Sequence, residues 1–285
     1  MNIKEQIINI SLSATSDYAQ ELVGNMPIVY IHSIYNKTIN LLIHNKIFAL
    51  QPKGSYLSPV SLITGLSVAQ FQQLSLFPQQ QYRLNLHYQN CAIFCSKLTA
   101  CIPSEKNLLS LYSNTAQQIL QQTNTAGLTQ ILKGSSDDLI LFSCQKYLYE
   151  VQNLYHNKDM YNAAYKLAKF IGLGIGLTPS GDDFLCGFLA IFQRMNLTQN
   201  VFYQTLTEQI QQNLDKTNLI SARFLECALM QQFSATVLDF LNLNESKSIN
   251  ISHIQTQFEK IGHSSGMDTL FGIYYACELL THSAK

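Results

Sequence analysis

The chain changes its period near residues 101–103, and that change limits the folds open to it more than any other feature. Before it, Ile28, Tyr30, Ile34, Tyr35, Ile39, Leu41, Ile43, Ile47, Phe48 and Leu50 are punctuated by Asn36-Lys37 and His44-Asn45-Lys46. β-Formers broken in this way predict three short strands joined by tight turns. Pro52, Gly54 and Pro59 interrupt the pattern, and alternation returns over 82–94 with Leu84, Leu86 and Tyr88. The leading stretch, residues 3–22, carries Ile3, Ile7, Ile8, Ile10 and Leu12 and predicts a short amphipathic helix. From Ser104 onward Leu, Ile and Phe recur every three or four residues, the signature of helices packed by one face. Helices are expected near 104–122, 137–154, 158–171, 181–195, 200–214, 219–232, 234–242, 251–261 and 266–281. The expected class is α+β: a β-rich N-terminal module with a leading helix over 1–102, then a larger all-α module over 103–285.

Eighteen basic side chains balance eighteen acidic ones, and charged residues make up only 13% of the 285. A nucleic-acid binder needs a basic stripe, and a disordered acidic chain needs a charge excess; this sequence has neither. Gln and Asn together supply roughly 48 residues, so the solvated faces are rich in amides rather than ions. Seven scattered cysteines in apolar surroundings fit buried thiols in a reducing compartment. Cys91 and Cys95 lack the neighbours that would complete a metal site, and no metal ligands are assigned. No basic-then-apolar leader opens the sequence, and the longest compact apolar stretch, 184–192, is far short of a membrane span. The expected setting is cytoplasmic, without nucleic acid or membrane as partner.

One segment concentrates chemistry. Gly172-Leu173-Gly174-Ile175-Gly176-Leu177-Thr178-Pro179-Ser180-Gly181-Asp182-Asp183 lies between two helix-like runs. Glycine admits positive φ and lets backbone approach a ligand, and a helix N-terminus attracts anions. Ser180 with Asp183 three residues on has the form of a capping box. A P-loop would need Lys followed by Ser or Thr, and the glycine spacing is not that of a dinucleotide site. Asp182 and Asp183 would repel a bare phosphate, so the pair suits a cation-bridged anion or a substrate with N–H donors. The structural alternative is a capped helix with closely packed glycines.

The pattern then recurs. Ser180-Gly181-Asp182-Asp183-Phe184-Leu185-Cys186-Gly187-Phe188 aligns with Ser265-Gly266-Met267-Asp268-Thr269-Leu270-Phe271-Gly272-Ile273. In each copy the glycine four after the Asp lies on the same helix face, so the two helices can cross closely with their N-termini together. Packing alone would also explain such a duplication. Around the second copy, His263, Ser264 and Ser265 stand where the first has Thr178, Pro179 and Ser180. His263 could act as acid or base near neutral pH, or simply cap the helix. Between the copies Thr217 is a reasonable N-cap, and Ser221 and Arg223 could face the same site. Arg223 would make a carboxylate or phosphate fork, though a surface position is the more ordinary one for it.

The two blocks, over residues 172–183 and 262–268, resemble the bacterial AllH family, most strongly over roughly 160–280 and more weakly near His32-Ser33 and Asn40-Leu41. The resemblance implies a subunit of a carbamoyl-transfer enzyme of the oxamate carbamoyltransferase kind. That enzyme exchanges a carbamoyl group between oxalurate and phosphate in allantoin breakdown. It also implies other subunits as partners and a small anionic metabolite of the carbamoyl phosphate, oxamate or oxalurate class. A non-catalytic metabolite-binding or scaffold subunit, and a carboxylase-like enzyme, are the alternatives. On this reading Gly174, Gly176, Thr178, Pro179, Ser180, Gly181, Ser264, Ser265 and Gly266 hold the substrate. Asp182, Asp183 and Asp268 accept amide protons or bind a divalent cation, the one cofactor considered, and His263 shuttles a proton.

Overall fold

The computed structural model describes residues 7–101, 107–133, 139–174, 177–244 and 248–281. The chain is α+β and divides into two compact units, Met1–Lys97 with Gln232–Ala235, and Leu98–Gln231 with Thr236–Lys285.

The first unit is a seven-stranded sheet. Its strands are β1 (Ile7–Ser16), β2 (Ile28–Tyr35), β3 (Thr38–Ile43), β4 (Lys46–Gln51), β5 (Ser61–Thr64), β6 (Gln81–His87) and β7 (Ala92–Phe94). The strand order is β5-β4-β3-β2-β6-β1-β7, and a further pairing of β5 with β1 closes the sheet on itself. Closure is a way to remove exposed edges. The β2–β3–β4 meander follows the sequence expectation, with His44 and Asn45 at φ of 50° and 61° in the second turn. Helix α1 (Asp17–Val23) is capped by Ser16, whose hydroxyl accepts from the Ala19 amide at 2.8 Å, and α2 (Val68–Phe71) is a single turn.

The leading helix expected over 3–22 is a correction. Residues 7–16 form β1, and only 17–23 are helical. Ile8, Ile10 and Leu12 satisfy a period of two as well as a helical one, and Asn9 and Ser11 fall on the opposite face. The β-branched residues favour the extended form. What decides the choice is pairing: β1 bonds in parallel to β6 and in antiparallel to β5. β5, which the sequence reading passed over, is buried at all four positions and carries no alternation to detect.

The second unit is helical: α3 (Leu108–Gln122), α4 (Leu139–His156), α5 (Met160–Leu167), α6 (Ser180–Arg194), α7 (Val201–Gln212), α8 (Leu219–Leu229), α9 (Ala235–Leu241), α10 (Ile251–Glu259) and α11 (Ser265–Thr281). These fall where the three- and four-residue recurrence placed them. The first two residues of the helix expected over 137–154, Asp137 and Asp138, lie outside the described residues. Helices α6 and α11 are buried on most sides and pack most extensively against each other. Phe184, Phe188 and Phe192 of α6 meet Phe170, Phe202, Phe271 and Tyr275 at ring-centroid separations of 5.1–6.1 Å. Each fully buried Phe contributes about 1.5–3 kcal/mol, so this aromatic stack anchors the two helices whose first turns carry the duplicated motif. Among the described residues no helix is long and apolar enough to cross a membrane.

Candidate functional site

Helices α6 and α11 are held together by a reciprocal contact of glycine on backbone. A Cβ on Gly187 would lie 1.9 Å from the Thr269 carbonyl oxygen, and one on Gly272 would lie 2.0 Å from that of Phe184. Thr269 and Phe184 are the residues that follow Asp268 and Asp183, so each copy's glycine rests on the other copy's first turn. The same exchange governs the side chains. The Thr178 and Ser265 hydroxyls share a hydrogen bond of 2.6 Å, and both lie beside Asp183. Asp268, in turn, lies beside Ser180 of the first copy and Ser264 of its own. The two helix starts thus form one cluster in which each carboxylate faces the other copy's serine.

A second glycine pair sets each helix start against the preceding segment. A Cβ on Gly181 would stand 2.0 Å from the Phe170 carbonyl, and one on Gly266 would stand 1.9 Å from that of Phe258. The Gly181 amide donates to the Leu173 carbonyl at 2.8 Å, and the Gly266 amide to that of Ile261 at 3.0 Å. Glycine is required at both points because the backbone oxygens leave no room for a side chain.

The expected capping box does not form. Pro179 occupies the N-cap of α6 without a side-chain bond, and its carbonyl accepts from the Asp182 and Asp183 amides at 2.9 and 3.3 Å. Ser180 is already the first helical residue, so its hydroxyl is turned to the neighbourhood of Asp268 instead. The loop before it is closed down on the helix: Gly174, at φ of 118°, has no room for a Cβ because the Ser180 amide would be 2.8 Å away. Gly176 lies outside the described residues.

The three aspartates have different surroundings. Asp182 is consumed by structure. One carboxylate oxygen accepts from the Gly172 amide at 2.8 Å, and the other from the Thr217 hydroxyl and from the Ser221 hydroxyl at 2.6 Å. It ties the glycine loop to the start of α8, whose N-cap is Asn218 rather than the expected Thr217. Asp268 is fully buried; its Oδ1 accepts from the Leu128 amide at 2.8 Å, while among the described residues its Oδ2 has no hydrogen-bond partner. Asp183 is 8% exposed, and its Oδ2 likewise lacks a partner among them. Burial pushes the Asp268 carboxyl up to about 6, with the nearby Ser180 hydroxyl, the Leu128 amide and the Ser264 hydroxyl pulling the other way. Burial, reinforced by the charge of Asp268, holds the Asp183 carboxyl well above the usual range.

His263 is exposed in the turn before α11, and Ser264 and Ser265 are half-buried. Arg223, given a surface place by the sequence reading, is instead buried at 2% exposure, with its guanidinium 3.1 Å from Glu226. Burial of an arginine is uncommon without a charged partner, and α8 supplies one a single turn away. The residues that sequence reasoning missed are Gly127 and Leu128. Gly127 takes φ of 113°, and a Cβ there would fall 2.6 Å from Asp268 Oδ1, so only glycine lets the Leu128 amide reach that carboxylate. Nothing in the local sequence ties this loop to a residue 140 positions later. Among the described residues no group of three or more His, Cys, Asp and Glu side chains is placed to hold a metal ion.

Both glycine-rich helix starts fall within the stretch that a comparison with known families matches. Residues 170–277 match the AllH family. The description that family carries is oxamate carbamoyltransferase subunit AllH. The resemblance read from the two motifs is therefore borne out over this stretch, which runs from the carbonyl under Gly181 into the C-terminal part of α11. The AllH name is that of a subunit, which implies further subunits around it. The loop with Gly127 and Leu128 lies outside the AllH match. No solved structure matches the chain.

Proposed function

We propose that this chain serves as a subunit of a carbamoyl-transfer enzyme, binding a small amide-bearing anion where α6 and α11 begin. The supporting observation is the convergence of Asp183 and Asp268, each with a buried oxygen that has no partner among the described residues, among the hydroxyls of Thr178, Ser180, Ser264 and Ser265. Unpartnered buried polar atoms cost on the order of 1–3 kcal/mol each, a penalty that a ligand offering N–H or O–H groups would remove. In the reaction the C–N bond between the carbamoyl carbon and the oxamate nitrogen of oxalurate breaks. A bond from that carbon to a phosphate oxygen forms, and the oxamate nitrogen takes up a proton. The chain's part is to hold the oxamate end: carboxylates accept from its amide, hydroxyls meet its carboxylate, and the two positive helix ends favour its negative charge. His263, exposed in the turn one residue before Ser264, is assigned to carry the proton.

The test is an assay of carbamoyl phosphate formation from oxalurate and phosphate, with the chain alone and with its co-expressed partner subunits. Asp183→Ala and Asp268→Ala should each lower turnover by on the order of a hundredfold, and His263→Ala by about tenfold or more. Full activity in both aspartate variants would remove the site. A second reading, binding without chemistry, is favoured by one observation: Asp182 spends both its oxygens on the fold. It predicts that the chain binds oxamate while turnover resides wholly in its partners and survives His263→Ala.

A further inference from the structure

The carboxylates of Asp183 and Asp268 belong to equivalent positions of the repeat, yet their immediate partners are unlike. Asp268 receives a backbone N–H from Leu128 at 2.8 Å, delivered by the loop that Gly127 admits. Among the described residues Asp183 receives no backbone N–H; it is met by the hydroxyls of Ser265 and Thr178, which also share a 2.6 Å bond with each other, and their pull on its carboxyl is outweighed by burial. A backbone donor favours the ionised form, whereas a buried carboxyl facing other carboxylates favours the neutral one. The charged groups acting on Asp183 are Asp268 from α11 and Asp182 from its own helix, both acids. Each of the pair keeps one buried oxygen without a partner among the described residues, so each carries an unused polar atom shielded from water. Two ionised carboxylates placed this way would repel each other with little screening.

We infer that Asp183 and Asp268 hold one proton between them and act as an unlike pair, Asp183 donating it to a substrate oxygen and Asp268 accepting from the substrate's amide nitrogen. This rests on the amide-anion reading proposed above and sharpens it. A neutral acid beside a carboxylate matches a ligand that presents one oxygen and one N–H side by side, as oxamate does. It does not match inorganic phosphate, whose oxygens would face Asp268 unprotected. The repeat supplied two equal carboxylates, and the Gly127–Leu128 loop made them different.

The experiment measures oxamate binding calorimetrically to the full chain and to four variants, each first checked for its native circular dichroism spectrum. Asn is a neutral isostere that retains a donor, so Asp183→Asn should bind at least tenfold better than Asp183→Ala. Asp268→Asn should bind no better than Asp268→Ala, because neither restores the anionic acceptor. Rescue by Asn at 268, at both positions or at neither would overturn the assignment. Difference infrared spectroscopy of the free protein at pH 7 reads the proton independently of any ligand. A neutral-carboxyl band present in the wild type and absent from Asp183→Asn is expected; its absence from the wild type would also overturn the proposal. Failure of the wild type to bind oxamate, with that band present, would instead reject the substrate class while leaving the shared proton in place.

Discussion

Thr178 and Ser265, 87 positions apart, share a hydrogen bond of 2.6 Å between their hydroxyls. One residue precedes α6 and the other begins α11, so this bond joins the two copies of the motif at the point where both carboxylates lie. A neutral hydrogen bond of this kind contributes about 1 kcal/mol. Thr178→Val and Ser265→Ala should therefore each destabilise the fold modestly. Their double-mutant cycle in urea unfolding should show a coupling near 1 kcal/mol, and additive losses would mean that the two hydroxyls do not depend on each other.

The crossing of α6 and α11 rests on Gly187 and Gly272, each against a carbonyl at 2.0 Å or less from a notional Cβ. Backbone oxygens within helices cannot step aside as a side chain does. Gly187→Ala and Gly272→Ala should each cost about 3 kcal/mol, with a clear fall in Tm. Gly65→Ala, where a Cβ would meet nothing within 4 Å, is the control and should stay within about 0.5 kcal/mol of the wild type.

Asp182 accepts from three donors: the Gly172 amide of the glycine loop, the Thr217 hydroxyl just before α8, and the Ser221 hydroxyl within it. Asp182→Ala leaves the Thr217 and Ser221 hydroxyls and the Gly172 amide without that acceptor. A loss on the order of 3 kcal/mol or more is expected in equilibrium unfolding. Ser221→Ala, which removes one donor only, should lose about 1–2 kcal/mol; equal losses from the two variants would contradict the shared role of the carboxylate.

Asp268 titrates at about 6 in the folded chain against an ordinary 3.8. Between those values the folded state binds more protons than the unfolded one, so stability falls as pH rises. The contribution is fully present below pH 4 and is lost as pH rises through 6. The difference corresponds to roughly 3 kcal/mol, and Asp183, raised in the same direction, adds to the decline. Asp268→Asn removes the dependence at that position. Urea unfolding at pH 4.5 and 7.5 should show the wild type losing stability relative to Asp268→Asn as pH rises; a constant gap would refute the shift.

The helices of the second unit were legible because each buries one face, and a buried stripe leaves a three- or four-residue recurrence in the chain. The β2–β3–β4 meander was legible for the corresponding reason at a period of two. β1 was misread because Ile8, Ile10 and Leu12 fit both periods, and the choice was made by β5 and β6, whose pairing leaves no mark on residues 7–16. Ser180 looked like a cap because the local pattern was right. Pro179 took that place through its own carbonyl, leaving the serine for a different helix.

The sequence by itself determined the α+β class, the duplicated Ser-Gly-x-Asp pattern and its AllH likeness. Such features are carried by neighbouring residues and by the glycines that close packing demands. Tertiary structure decided how three similar aspartates are surrounded. Asp182 became a structural tie because Thr217, just before α8, and Ser221, within it, reach its carboxylate. Asp268 gained a backbone donor because Gly127 lets a distant loop approach. Asp183 was left beside hydroxyls and other acids. A carboxylate's charge state and availability depend on what surrounds it in space, and those surroundings come from segments that its own stretch of chain does not encode.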